Sequence, residues 1–151
     1  MESTIPPELT GPSHGPLVRD YMTPNPLVLG VGSSLEKAFR LMQENDIRHL
    51  PIVGSGGRLV GLLSDRELSL AKRERGIDPA DVLVDELMSK DPFTVTPTTR
   101  LEGAAGVMAN QKYGCAVVMD GERVAGILTT IDVLRALVEL RMGAERGHAA
   151  P

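Results

Sequence analysis

Two short passages of the chain have the residue types and spacing to grip a charged or hydroxylated ligand. They are Gly61-Leu62-Leu63-Ser64-Asp65-Arg66-Glu67 and Gly126-Ile127-Leu128-Thr129-Thr130-Ile131-Asp132. Each puts a small hydroxyl residue where an apolar run gives way to a helical pattern, with a carboxylate three positions later. Such a pair is first of all a capping box, which satisfies orphan amides at a helix start. The same geometry can also serve a ligand, because the hydroxyl and the exposed N–H groups of a helix start can hold a phosphate. A carboxylate one turn along can accept both hydrogen bonds of a ribose diol, as an acidic residue does in dinucleotide folds. Asp132 is short enough to hold a diol close to the backbone, whereas Glu67 reaches one methylene further and suits capping better.

These passages end two copies of one larger unit. Val18-Arg19-Asp20-Tyr21-Met22 opens the first copy and Val84-Asp85-Glu86-Leu87-Met88 the second. At a spacing of 66 residues Met22 matches Met88, Pro26 matches Pro92, Leu35-Glu36 matches Leu101-Glu102, Ala38 matches Ala104 and Met42 matches Met108. The spacing is 65 where Gly61 meets Gly126, so the second hairpin is one residue shorter. A unit of about sixty residues is too long for a solenoid repeat and suits one half of a paired domain. Two halves sharing a core leave a pseudo-twofold cleft between them, where a ligand is expected.

Each copy reads as strand, helix, hairpin, helix. In the first, Leu27-Val28-Leu29 is a short strand and Ser33-Ser34-Leu35-Glu36 a capping box with Ser33 as N-cap. Thr99 to Glu102 stands at the matching place. Leu35, Ala38, Phe39 and Met42 then form one apolar stripe, and Leu101, Ala104, Ala105 and Met108 another. Hairpins are predicted over 47–63, turning at Gly54-Ser55-Gly56-Gly57, and over 113–128, turning at Asp120-Gly121. Helices follow over 66–75 and 131–142, with Gly76 and Gly143 as C-terminal stops. The second carries Ile131, Val133, Leu134, Leu137, Val138, Leu140 and Met142, more apolar surface than one stripe needs. Either it is buried within the chain or part of it faces a second subunit.

Composition narrows the function. Two Tyr, two Phe and no Trp require an aliphatic core, and a net charge of −4 argues against a nucleic-acid partner. A single cysteine, Cys115, excludes an intrachain disulfide and fits a reducing cytoplasm. No apolar run approaches the roughly 18 residues of a membrane span. Residues 1–16 read as a flexible lead, 17–76 as the first repeat, 77–83 as a linker, 84–142 as the second repeat and 143–151 as a flexible tail.

The repeat resembles the CBS domain, and the tandem resembles a CBS pair, or Bateman module, from about Leu17 to Met142. The resemblance rests on the Val-x-x-x-Met openers, on Ile47-Arg48-His49-Leu50-Pro51-Ile52-Val53 and on Gly126-Ile-Leu-Thr129-x-x-Asp132. It implies an α/β (α+β) fold of two β-α-β-β-α repeats related by a pseudo-twofold axis, with adenosine nucleotides in one or two clefts between them. Carried onto this sequence, Asp132 would hold ribose and Thr129 phosphate or ribose. Lys90 to Val95, with Pro92, Thr94 and Val95, and Tyr113, Gly114, Cys115 and Ala116 would form the adenine wall. The first-repeat site would use Ser64 and Glu67, with Asn25 and Val28 in the stretch Thr23–Val28, and Arg48 and His49, alongside. Glu67 departs from the family's Asp, and Gly114-Cys115 stand where the first repeat has Arg48-His49, so the two sites differ in chemistry. Arg48, His49 and Arg66 are candidate phosphate partners; their bland alternatives are a solvated Arg48, a structural His49 and an exposed helix-surface Arg66. His14 and His148 fall in the expected tails, so no metal site assembles around His49, and Cys115 reads as a buried inert thiol. Lys72-Arg73-Glu74-Arg75 reads as a solvated helix end favoured by the helix dipole.

The expected function is a regulatory, ligand-sensing module for AMP, ADP or ATP that acts through conformation or oligomer state, with no required cofactor. The resemblance implies a homodimer, and output through a further protein partner is open. The alternative is an assembly module whose helices mediate dimerisation without a nucleotide. Enzyme activity is not expected, since the sequence shows no Walker loop, no nucleophile–base pair and no acidic metal cluster.

Overall fold

The computed structural model describes residues 15–149, with backbone only for Arg75 and for residues 144–149. The expected lead lies outside the described residues as far as residue 14, and so do the last two residues of the expected tail. Along the chain run α1 (Val18–Tyr21), β1 (Thr23–Pro24), β2 (Leu29–Gly30), α2 (Leu35–Asn45), β3 (His49–Val53), β4 (Leu59–Ser64), α3 (Asp65–Arg75), β5 (Thr94–Val95), α4 (Leu101–Gln111), β6 (Cys115–Asp120), β7 (Arg123–Thr129) and α5 (Thr130–Ala149). The result is a mixed α/β chain with two sheets. One has the order β2-β3-β4, parallel then antiparallel, and the other the order β1-β7-β6-β5, with β1 antiparallel to β7 and β5 parallel to β6.

Local chemistry explains where the helices begin, with a one-residue surprise in each copy. The cap of α2 is Ser34 rather than Ser33: its Oγ accepts from the Lys37 N–H at 3.2 Å. Ser33 is occupied through its backbone, whose carbonyl accepts from Val84 N–H. In the second copy Arg100 is the N-cap residue; its side chain does not cap the helix start and its guanidinium stands 3.6 Å from Glu102. Thr99 instead turns its Oγ1 to the Thr96 N–H at 3.1 Å and closes the preceding turn. The stripes of both helices are otherwise as expected, with Leu35, Ala38 and Met42, and Leu101, Ala104 and Met108, buried.

The two glycine stops part company. Gly76 takes the left-handed conformation, φ 58°, and ends α3. Gly143 stays helical and α5 runs through it to Ala149. An interior glycine costs only about 1 kcal/mol relative to alanine, so good helix formers on both sides carry the helix past it.

The chain divides into two compact units that do not follow the sequence repeats. One takes residues 15–25, 93–120 and 125–149, the other 26–92 and 121–124. Each opener is thus built into the body of the other repeat. In one unit Val18 N–H donates to the Thr99 carbonyl at 2.8 Å and Leu101 N–H to Pro16 at 3.0 Å. In the other, Val84 N–H donates to Ser33 at 2.8 Å and Leu35 N–H to Val82 at 2.8 Å. The apolar opener residues Val18 and Val84 are fully buried and drive this docking. Each unit has its own aliphatic core: Val18, Val118, Leu128 and Ala136 among others in the first, Leu35, Leu50, Ile52 and Leu63 in the second.

The apolar excess of α5 is not buried within the chain. Ile131, Leu134, Leu137, Val138, Leu140 and Met142 are all exposed, while the inward positions are Ala136 and, in part, Val133. Lys72 is exposed, as expected, and also places its Nζ 5.1 Å from the centre of the Phe39 ring, a cation–π contact between α3 and α2.

Candidate functional site

Both hydroxyl–carboxylate passages lie where a strand becomes a helix, one in each unit. In the first unit Thr129 caps α5 and makes a complete reciprocal box with Asp132. Asp132 Oδ2 accepts from the Thr129 N–H at 2.9 Å and from Thr129 Oγ1 at 3.0 Å, while Thr129 Oγ1 accepts from the Asp132 N–H at 3.2 Å. Asp132 is only 5% exposed, the one buried charged residue among the described residues. Its other oxygen, Oδ1, stands 3.7 Å from the Arg135 guanidinium, an ion-pair distance too long for a hydrogen bond. Oδ1 therefore keeps acceptor capacity at the start of a long helix, beside a mostly exposed Arg135 side chain.

The neighbours of this cap come from β5 and β6. Thr130 ties the helix start to the start of β6, its N–H and its hydroxyl both donating to the Gly114 carbonyl at 3.1 Å. Tyr113, next to Gly114, is exposed and stacks on Phe93 with ring centroids 5.6 Å apart. Thr94 and Val95 pair with Val117 and Val118. Of the expected adenine wall, Val95, Cys115 and Ala116 are buried, Thr94 is half-buried, Tyr113 and Gly114 are exposed, and Pro92 belongs instead to the other unit. Asn25 enters the same unit, its N–H bonded to the Ala125 carbonyl at 3.0 Å and its φ positive at 48°.

The second unit holds Ser64, Glu67, Arg48, His49, Arg66, Val28 and Pro92. Ser64 caps α3 by accepting from the Glu67 N–H at 3.2 Å. His49 pairs with Ser64 across β3 and β4, and the Arg48 carbonyl accepts from the Asp65 N–H at 2.8 Å, as Gly114 does from Thr130. Arg66 and Val28 are exposed and Pro92 is buried. Burial holds the His49 imidazole below its ordinary range, with the Arg48 charge adding to the effect and Asp65 opposing it. His49 is therefore mainly neutral near pH 7, a weak partner for phosphate.

Glu67 is placed differently from Asp132. Its Oε1 accepts from Ser89 Oγ at 3.4 Å, and its Oε2 is buried without a hydrogen-bond partner. Burial pushes the Glu67 carboxyl above the ordinary glutamate range, opposed by the Ser64 amide and the Ser89 hydroxyl. A raised folded-state pKa gives stability that is full below the unfolded value and is lost as pH rises through the folded one. Wild type is therefore expected to lose ground to Glu67→Gln as pH rises just above the ordinary glutamate range. Urea melts of both proteins between about pH 4 and pH 8 check this, and parallel curves would contradict it.

Arg135, Thr130, Phe93 and Ser89 are neighbours that the motifs did not single out. Arg135 was visible as an i,i+3 partner of Asp132, whereas Ser89 lies 22 residues from Glu67 with no local signal. Two hollows carry none of the key carboxylates. One of about 470 Å³ lies among Gly54, Gly56, Arg58 and Glu122; an apolar one of about 260 Å³ lies between α4 and α5. Among the described residues there is no group of three or more His, Cys, Asp or Glu placed to hold a metal, and no helix long and apolar enough to cross a membrane.

Comparison with known proteins agrees with this architecture. A family model for the CBS domain matches residues 18–74 and 84–139. Hypoxic response protein 1 of Mycobacterium tuberculosis is 31% identical over 121 residues, 80% of this chain and 85% of that protein. The solved structure of CBSX2 in complex with AMP has a TM-score of 0.71 at 31% identity, covering 84% of this chain and 99% of that one. The CBS domain pair of protein MJ0100, in complex with 5′-methylthioadenosine and S-adenosyl-L-methionine, has a TM-score of 0.76 at 25% identity, covering 82% and 97%. With two matched repeats spanning most of its length, the chain belongs to the CBS domain family.

Proposed function

We propose that this chain is a regulatory module that binds an adenosine nucleotide (AMP, ADP or ATP) at the Thr129–Asp132 start of α5. The observation that carries the reading is Asp132, a buried carboxylate whose Oδ1 stands 3.7 Å from the Arg135 guanidinium, beyond hydrogen-bond length. A ribose diol supplies two donors to that carboxylate, and the positive end of the α5 dipole favours a phosphate nearby. Tyr113 and Gly114 offer the accessible part of the base wall. Relatives crystallised with AMP and with S-adenosyl-L-methionine support the ligand class.

The role is binding rather than catalysis. A bound nucleotide shifts a conformational or assembly equilibrium by its preference for one state, and a protein partner or a change of oligomer state receives the signal. A homodimer is part of this reading, because the exposed apolar residues of α5 form a contiguous face that a second copy would cover. A lone, buried Cys115 suits a reducing cytoplasm. The same α5 face favours the second reading, an assembly module without a nucleotide.

A thermal-shift panel of AMP, ADP, ATP, S-adenosylmethionine, NAD and a cyclic dinucleotide separates the two. A ligand at about a hundred times its dissociation constant adds roughly 2.7 kcal/mol, or about 5–10 °C for a chain of this size. An upward shift with an adenosine mononucleotide is expected. Flat curves across the panel from an intact dimer would favour assembly.

A further inference from the structure

The two hydroxyl–carboxylate passages occupy matching places yet spend their acids differently. Asp132 closes on its own cap through Oδ2 and leaves Oδ1 beside the 62%-exposed Arg135 side chain. Glu67 feels the Ser64 amide of its own cap and also reaches Ser89. Ser89 is itself fixed, since its N–H and carbonyl both pair with Leu62 of β4 at 2.9 Å. The one oxygen of Glu67 with a side-chain partner is thereby turned onto a hydroxyl whose backbone is paired to β4, and the other is sealed from solvent. A diol needs two acceptor directions that it can reach, and with Oε2 sealed this carboxylate keeps only Oε1, which already accepts from Ser89.

We infer that the chain binds one nucleotide rather than two, and that Glu67 is the residue that closes the second passage by docking on Ser89. The inference rests on the nucleotide-binding reading of Asp132 and adds stoichiometry and selectivity to it. The extra methylene of glutamate is what lets the carboxylate reach Ser89. Its cost is visible in the unpartnered Oε2, which an open ribose site would hydrate.

Isothermal titration of the full chain with AMP, and separately with ATP, tests the inference. Wild type is expected to take about one nucleotide per chain, and Asp132→Asn about none. Glu67→Asp withdraws the carboxylate from Ser89 and is expected to raise the stoichiometry toward two. A wild-type value of two overturns the inference while leaving the binding reading intact. One site surviving in Asp132→Asn overturns it as well, and so does a Glu67→Asp protein that folds and stays at one. No heat from either nucleotide with wild type overturns the binding reading and this inference together.

Discussion

Asp132→Ala is expected to weaken AMP or ATP binding by about 100-fold. Each hydrogen bond to a charged acceptor contributes roughly 1.5 kcal/mol or more, so losing both bonds from a ribose diol removes about 3 kcal/mol. The same residue caps α5 through the Thr129 N–H and hydroxyl, so alanine also removes a cap worth about 1 kcal/mol of stability. Asp132→Asn separates the two roles. Its amide oxygen can still accept the Thr129 bonds, while the charge that attracts the diol is gone. If Asp132 is only a cap, the asparagine protein binds nucleotide as wild type does. If it is the ribose clamp, the asparagine protein melts near wild type and loses most of its affinity. Calorimetric titration alongside urea melts reads both quantities from one set of proteins.

Gly61→Ala and Gly126→Ala are each expected to cost about 1–3 kcal/mol, the range for forcing a methyl into a filled space. A Cβ on Gly61 would stand 2.5 Å from Met88 Sδ and 2.9 Å from the Ser89 carbonyl oxygen. On Gly126 it would meet Met22 Sδ at 2.6 Å and the Thr23 carbonyl oxygen at 3.0 Å. A methionine tip can swing aside, but the carbonyls belong to the strand pairing that seats each opener and cannot. Gly106 supplies the control. It is exposed on α4 with nothing within 4 Å of a built Cβ, so Gly106→Ala is expected to stabilise by about 0.5–1 kcal/mol. Urea denaturation of the three variants checks the opposite signs, and equal effects at all sites would contradict the close packing of the openers.

What could be read from the chain alone follows how local the physics is. The hairpins, the apolar stripes and the Ser64 and Thr129 caps are set within a few residues, and each stands where the pattern predicts. The caps of α2 and α4 shifted by one residue because other partners compete: the Ser33 carbonyl answers distant Val84, and Thr99 answers distant Val18 through its carbonyl and nearby Thr96 through its hydroxyl. The exchange of openers is likewise invisible locally, since a repeat boundary in sequence says nothing about which body a short helix docks on. Gly143 failed as a stop because nothing after it required a turn, while Gly76 is followed by Asp78-Pro79 and a change of direction.

At the candidate site the cap geometry was legible and the partners of the acids were not. The residue types already set Glu67 apart from Asp132, yet only the fold shows that the longer acid is committed to Ser89. The shorter one keeps Oδ1 beside Arg135. The basic pair Arg48-His49 also changes meaning, because burial and Arg48 itself strip His49 of the charge that a phosphate partner needs.

The ligand can be altered instead of the protein. Titrating wild type with AMP and with its 2′,3′-dideoxy analogue removes the diol while leaving base, phosphate and fold untouched. About 100-fold weaker binding of the dideoxy compound is expected if Asp132 grips the sugar. Equal affinity for the two nucleotides would show that the sugar hydroxyls never meet that carboxylate.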